Sequence, residues 1–505
     1  MRTQHKARES VETYSPAEEL FNRRRQTIGL FLGPLALLTM LAAPLPVPLP
    51  AHRMAAILVM AVVFWVTEAL PLAVTAMLGP VLAVVLGVAP VRTALGSFAD
   101  PVVFVFIGGF MLAEAMFVHG VDRRIAYTAL SLKFVGRSAP RILWVFGGVT
   151  TALSMWMSNT ATTAMMFPIG LSIVAHLTRS GATGARQFAL VIMLITSFGA
   201  SIGGIGTPVG TPPNLIGIGM LERLTKTDIT FFQWMELGVP IVVVMFLFLA
   251  VYFWLVGARG INLSEESAQI VDDELEKLGP LSRGQMNVLL AFGVTVVLWV
   301  TPGVFALAGM DGSPAARAYN QAVPESVAAM LGAFLLFVLP VDWRSRRFTL
   351  GWEDAQRIDW GVVFLYGGGL AMGELAFNTG LASAMGTGIA GLLPSHTGPV
   401  LTVLFTATAI VLSEATSNTA AANMIIPIAI AVAAAAGVSP MEPALGATLG
   451  ASMGFMLPVS TPPNAIVYSS GYVPIGQMMR YGILLDVVGF VVIVAVVLGL
   501  SPLVF

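Results

Sequence analysis

The sequence predicts an all-α polytopic membrane protein: eleven spanning helices plus two re-entrant helical hairpins, arranged as two inverted repeats. Three observations carry that expectation. Hydrophobic residues make up 56% of the 505-residue chain and charged residues only 10%, against roughly 25% charged in an average soluble protein. The mean hydropathy is +0.85. The tripeptide Ser-Asn-Thr occurs twice inside apolar stretches, as "SNTATTAMMFPIG" (158–170) and "SNTAAANMIIPIA" (417–429), 259 residues apart. Finally, "GTPPN" (210–214) returns as "STPPN" (460–464), 250 residues apart. Too little polar surface is available to cover a globule in water, so the solvent is lipid.

The elements follow in order. The first 26 residues are polar and mixed in charge, too long and too acidic for the charged start of a cleavable signal, and read as a cytoplasmic tail (1–26). A spanning helix needs roughly 20 apolar residues. That places spans near 28–43, 54–70, 72–90, 101–119, 187–222, 236–257, 285–302, 325–341, 360–378, 443–470 and 479–503. Two apolar segments, 142–177 and 399–436, remain, and they hold the SNT motifs. About 17 residues flank each tripeptide on either side; at about 1.5 Å per residue such an arm reaches about 25 Å, short of the roughly 30 Å hydrocarbon core. Hairpins at 139–180 and 399–437 are therefore expected to turn back with SNT inside the membrane.

Charge placement tests this topology independently. With the N-terminus inside, 21 of the 26 Lys and Arg fall in cytoplasmic segments. Only Arg53, Arg92, Arg223, Lys226 and Arg317 fall outside, as the positive-inside rule requires. Eleven spans put the C-terminus outside, giving a multi-pass protein of the cell (cytoplasmic) membrane.

The duplication extends beyond the two motifs. "FVFIGGFMLAEAMFVHG" (104–120) aligns without a gap on "FLYGGGLAMGELAFNTG" (364–380), pairing Gly108 with Gly368, Gly109 with Gly369, Glu114 with Glu374 and Gly120 with Gly380. A first repeat (27–257) and a second (285–505) are expected, joined by a polar cytoplasmic linker (258–284). Each contains scaffold spans, a hairpin and a broken span, 187–222 in the first and 443–470 in the second. The span near 101 runs inward and its partner near 360 runs outward, so the repeats are inverted. Inverted repeats with interrupted helices are a secondary-transporter architecture.

The breaks carry the chemistry. Prolines at 212–213 and 462–463 each remove a backbone donor and crowd the preceding turn, so a continuous helix cannot pass. One such motif alone is usually a packing kink, and one isolated SNT is usually a helix N-cap. Two equivalent breaks, each paired with a polar hairpin tip, favour a binding site. Helix N-termini attract anions, while freed carbonyls with Ser, Thr and Asn oxygens suit a hard cation such as Na⁺. Asn159 and Asn418 can donate to one ligand and accept from the other. A bound cation would screen an anion at a site whose spans hold no Lys or Arg.

"WVTEALPLAVTAMLGPVL" (65–82), "DPVVFVFIGGFMLAEAM" (100–116), both SNT motifs and both TPPN motifs make the chain resemble the divalent anion/sodium symporter family of di- and tricarboxylate transporters. The likeness covers nearly the whole chain after the tail. It implies a homodimer with a transport domain that moves elevator-fashion, and Na⁺-coupled uptake of C4-dicarboxylates such as succinate. Carried over by position, it implies a first Na⁺ site at Ser154, Ser158, Asn159 and Gly210, and a second at Ser413, Thr416, Asn418 and Ser460. It also implies that the carboxylates meet Ser158, Asn159, Thr160 and Thr211 from one half, and Ser417, Asn418, Thr419, Thr461 and Pro462 from the other. The halves differ: Thr162 and Thr163 become Ala421 and Ala422, and Gly210 becomes Ser460. Relatives of this kind include Na⁺-independent exchangers and sulfate carriers; the large soluble insert of many sulfate-type relatives is absent here.

Other features fit weaker expectations. Glu68, Glu114, Glu374 and Glu414 lie in apolar segments, where an acid is functional by default. For Glu414, structural hydrogen bonding is favoured over proton carriage, because the first hairpin has Met155 at that position. "DDE" (272–274) reads as a solvated loop and the five His are dispersed. No basic stripe points to nucleic acid. No clustered Asp, His or Ser–His pair at one membrane face points to an enzyme, and polarity confined to the breaks argues against a channel.

Overall fold

A computed structural model describes residues 16–135, 138–179, 184–258, 272–310, 312–392, 395 and 397–505. Within them the chain is helical almost throughout; the described strands are the short pair Pro340–Asp342 and Arg347–Phe348. Ten described helices are long and apolar enough to cross a membrane, or eleven if Pro314–Ala322 and Glu325–Val338, bent by 58°, count as one.

The first hairpin has arms Ala139–Ser154 and Asn159–Arg179, of 16 and 21 residues, and the second has arms Gly398–Ala415 and Asn418–Ala435, of 18 each. These differ from the even arms of about 17 residues expected from sequence. At about 1.5 Å per residue, 18 to 21 residues approach the thickness of a bilayer core. Arm length alone therefore does not separate a hairpin from two spans. The helix Pro16–Ala42 begins inside the segment 1–26 and runs on into the first apolar stretch. Residues 259–271 of the expected linker lie outside the described residues.

Both broken spans are broken. The first consists of Ala185–Gly204 and Pro212–Thr225, the second of Met441–Gly450 and Pro462–Tyr468. The prolines begin the second half of each span. Thr211 caps one with φ −145° and ψ 143°, and Thr461 the other with φ −145° and ψ 145°. Proline suits these first helical positions because their N–H groups have no intrahelical partner.

Packing exchanges elements between the halves. The first arm of each hairpin lies on the first half of its own broken span, Ala139–Ser154 on Ala185–Gly204 and Gly398–Ala415 on Met441–Gly450. The second half of each broken span crosses over. Pro212–Thr225 packs on Asn418–Ala435 of the second hairpin, and Pro462–Tyr468 packs on Asn159–Arg179 of the first. Farther out, Pro101–His119 lies on Glu325–Val338 and Trp360–Asn378 on Leu72–Val85. Both crossings use the aligned glycines: Gly108 meets the backbone of Ala329, and Gly368 that of Ala76, too closely for any side chain. Ala185–Gly204 is the hub, 94% buried, whereas the last helix, Ile475–Val504, is 28% buried and faces outward over most of its surface.

Candidate functional site

Each hairpin tip closes in the same way. In the first, the Ser154 hydroxyl donates to Asn159 Oδ1 at 2.8 Å; in the second, the Ser413 hydroxyl lies 2.7 Å from Asn418 Oδ1 and 2.7 Å from the Ala451 carbonyl oxygen. Ser158 Oγ accepts from the Ala161 N–H, and Ser417 Oγ from the Ala420 N–H, both at 3.2 Å. The two serines thus cap the helices that leave each tip and leave the N-terminal ends of those helices at the break.

The TPPN asparagines close the breaks. Asn214 Nδ2 donates to the carbonyls of Gly204 and Thr207, at 2.9 and 2.8 Å. Asn464 Nδ2 does the same to Gly454 and Leu457, at 3.0 Å each. Those carbonyls were freed when the helices unwound, and at membrane depth they need a partner. The first half of the first broken span also reaches the second half of the other, through a hydrogen bond from the Ser197 hydroxyl to Asn464 Oδ1.

Tip and break meet in both halves. Gly204 and Gly210 approach Asn159 and the Met155 carbonyl so closely that neither has room for a Cβ. Gly454 holds the equivalent place, where an added Cβ would stand 3.0 Å from Asn418 Oδ1 and 3.3 Å from Ser413 Oγ. Ser154, Asn159 and Gly210 therefore gather as expected, and so do Ser413 and Asn418. Ser460 and Thr416 are directed elsewhere. The Ser460 hydroxyl donates to Glu414 Oε2 at 2.6 Å, and the Thr416 hydroxyl to the Trp65 carbonyl at 3.3 Å. Each hydroxyl gives its proton there and keeps its oxygen lone pairs for a ligand. Ser158, Asn159, Thr160, Ser417, Asn418 and Thr419 are half-buried and Pro462 is exposed, whereas Thr211 and Thr461 are buried behind them. The tips are the accessible part of the cluster.

Glu414 has the structural role its hairpin suggested. Its Oε1 accepts from the N–H groups of Phe455 and Met456, at 2.6 and 2.8 Å, inside the unwound segment of the second break. The other acids of the apolar segments are engaged away from the tips. Glu374 pairs with Arg223 and accepts from the Ser97 hydroxyl at 2.6 Å, while Glu68 pairs with Arg25 at 2.7 Å. Glu114 is buried at 4% exposure. Glu274 of the acidic run pairs with Lys277 at 2.6 Å.

Two half-buried polar tips and two helix breaks, gathered inside an all-helical membrane bundle, define a transporter rather than an enzyme. The chain belongs to the family of the sodium:sulfate symporter transmembrane region, whose model matches residues 25–504. It is 33% identical over 490 residues to the sodium-dependent dicarboxylate transporter SdcS of Staphylococcus aureus strain bovine RF122 / ET3-1, covering 95% of this chain and 92% of that one. The SdcS of strain USA300 matches to the same extent, 33% over 490 residues. Among solved structures, the YdaH transporter of Alcanivorax borkumensis superposes with a TM-score of 0.55 at 10% identity, covering 90% of this chain and 99% of that one. MtrF of Neisseria gonorrhoeae superposes with a TM-score of 0.52 at 12% identity, covering 91% and 96%. At such identities these two likenesses concern the fold alone.

Proposed function

We propose that the protein is a Na⁺-coupled symporter of C4-dicarboxylates such as succinate, working by alternating access. The observation that carries this reading is the repeated tip-and-break cluster. Each copy brings a serine hydroxyl, an asparagine amide oxygen and unwound backbone together beside the start of a helix. Neutral oxygens suit a monovalent cation, and helix N-termini suit the substrate's carboxylates. One Na⁺ sits with Ser154, Ser158, Asn159 and Gly210, the other with Ser413, Thr416, Asn418 and Ser460. The dianion lies between the tips, against Ser158, Asn159, Thr160 and Thr211 on one side and Ser417, Asn418, Thr419, Thr461 and Pro462 on the other. Substrate class follows the sodium-dependent dicarboxylate relatives, matched along nearly the whole chain, over the sulfate in the family's title.

The mechanism we infer is of the elevator type in a homodimer. Hairpins and broken spans form one interlocked body, suited to move as a unit past the outer helices. Eleven spans in two inverted repeats, with the N-terminus in the cytoplasm and the C-terminus outside, agree with the charge count. A cysteine at Ser138 should then label from the cytoplasm and one at Ser395 from outside; labelling of Ser138 from outside would refute the topology. The function itself is tested by uptake of labelled succinate into proteoliposomes. An inward Na⁺ gradient should drive accumulation. Uptake indifferent to Na⁺, needing a carboxylate on the far side, would establish the exchanger instead.

A further inference from the structure

The body made of hairpins and broken spans meets the outer helices differently in the two halves, although those helices are themselves repeats. Gly109 of Pro101–His119 and Gly369 of Trp360–Asn378 are aligned residues. A Cβ on Gly109 would stand 3.3 Å from Val209 of the first break. One on Gly369 would strike Asn423 of the second hairpin instead. Val459, the counterpart of Val209, is left 45% exposed. The body therefore sits off centre between two like helices, with the first break covered and the second open. That is the geometry of one end state of an alternating-access carrier.

A polar tie crosses the boundary in this position. Arg223, in the last turn of Pro212–Thr225, pairs through Nε with Glu374 Oε1 on Trp360–Asn378. The first of these helices belongs to the body, packed on Asn418–Ala435 and Met441–Gly450. The second belongs to the outer helices, packed on Leu72–Val85. Glu374 is fixed on its own side, because its other oxygen accepts from the buried Ser97 hydroxyl at 2.6 Å. The Arg223 side chain is half exposed, so it can leave Glu374 for water. Elsewhere the two helices meet through small residues, which let backbones come close. Gly219 abuts the Tyr366 hydroxyl, and that hydroxyl donates at 2.9 Å to Asp100 Oδ1, within the outer helices.

We propose that the Arg223–Glu374 pair is a latch, which holds the body in this end state and opens in each transport cycle. It rests on the alternating-access reading above. The latch is one-sided: Glu374 has the aligned Glu114, but 250 residues after Arg223 stands Val473, which cannot form an ion pair. The opposite end state lacks this tie, and losing the pair shifts the population toward it.

The chain has no cysteine of its own, so single cysteines can report the two states. Thiol labelling of purified, intact protein is measured without Na⁺ or succinate. Val459→Cys should label readily and Val209→Cys slowly. Adding Arg223→Gln or Glu374→Gln should speed labelling of Val209→Cys at least threefold and slow that of Val459→Cys. The double variant should do no more than either single one, and Arg223→Lys, which keeps the charge, should restore the parent rates. Should one variant fail to fold, the other carries the test. Unchanged rates would overturn the latch, even with thermal stability lowered, since the pair would then be a static tie. Effects that multiply in the double variant would overturn it too. Shifted labelling in a protein that takes up no succinate on a Na⁺ gradient would reject the symport reading and keep the latch.

Discussion

The two hairpin-and-break units share a skeleton and fasten it by opposite chemistry. In the first, tip and break are held by backbone contact: Gly210 lies against the carbonyls of Gly204 and Met155, and the Thr207 hydroxyl donates to that same Met155 carbonyl. In the second, the Glu414 side chain spans the gap and accepts from two N–H groups of the break. Ser460 occupies the place of Gly210 and donates its hydroxyl to that carboxylate. The difference teaches that the Ser–Asn pair at each tip and the Asn that closes each break recur in both units, the tip pair being the one we propose to hold the ligands. The fastening behind them was free to diverge. It diverged in charge as well as shape, because the second unit carries the Glu414 carboxylate where the first has Met155.

If the tips are equivalent, damage to either should be severe. Asn159→Ala and Asn418→Ala should each cut uptake by about 100-fold or more, since each loses two polar contacts of about 1–3 kcal/mol. Uptake rates, with expression and oligomeric size as controls, check this. Unchanged transport in one mutant would remove that Asn from the site and break the symmetry.

Exchanging the fastenings should have a smaller and lopsided effect. Gly210→Ser forces a Cβ to within 2.5 Å of the Gly204 oxygen and 2.9 Å of the Met155 oxygen, both rigid backbone. Overpacking of that kind costs about 1–3 kcal/mol, and it displaces the Asn159 tip. Ser460→Gly removes one hydrogen bond, worth about 1 kcal/mol net, and leaves Glu414 its two N–H donors. Gly210→Ser should therefore lose more thermal stability and more uptake than Ser460→Gly. The reverse order would mean that the backbone contact is not what holds the first unit.

The flanking helices offer the mildest comparison. Val121–Leu130 and Leu381–Ala390 follow paired glycines with φ of 64° and 81°, and Asp122, fully buried, stands where the second repeat has Ala382. Both helices are short and lie outside the spans. Burial raises the Asp122 carboxyl from its ordinary 3.8 to about 6. A folded-state value above the unfolded one means that the native protein binds the proton more tightly. Stability is then lost as pH rises from about 4 to about 6 and stays low above, a cost of about 3 kcal/mol at most. Asp122→Ala should raise the melting temperature at pH 8, change it little at pH 4, and leave uptake as it was. An equal shift at both pH values would show that the carboxylate is not the cause.

The tips and breaks were legible because a polar motif inside an apolar chain is costly unless something partners it, and because each motif occurs twice. The glycine crossings at Gly108 and Gly368 could be aligned, although their partners Ala329 and Ala76 could not be named. The rest was hidden by distance along the chain. The partner of Thr416 is Trp65, that of Asn464 is Ser197, and that of Glu374 is Arg223. No local period announces such pairs.

Everything turns on whether Na⁺ and the dianion share one site. Helix ends supply about half a charge each, so cations must carry much of the compensation for two carboxylates. Succinate should therefore bind purified protein far more weakly in choline than in Na⁺, and saturating succinate should tighten Na⁺ binding by the same factor. Titration of succinate in the two salts, with sulfate as competitor, measures this directly. A large loss of affinity in choline, with sulfate competing poorly, is the predicted result. Equal affinities in the two salts would contradict the coupled site.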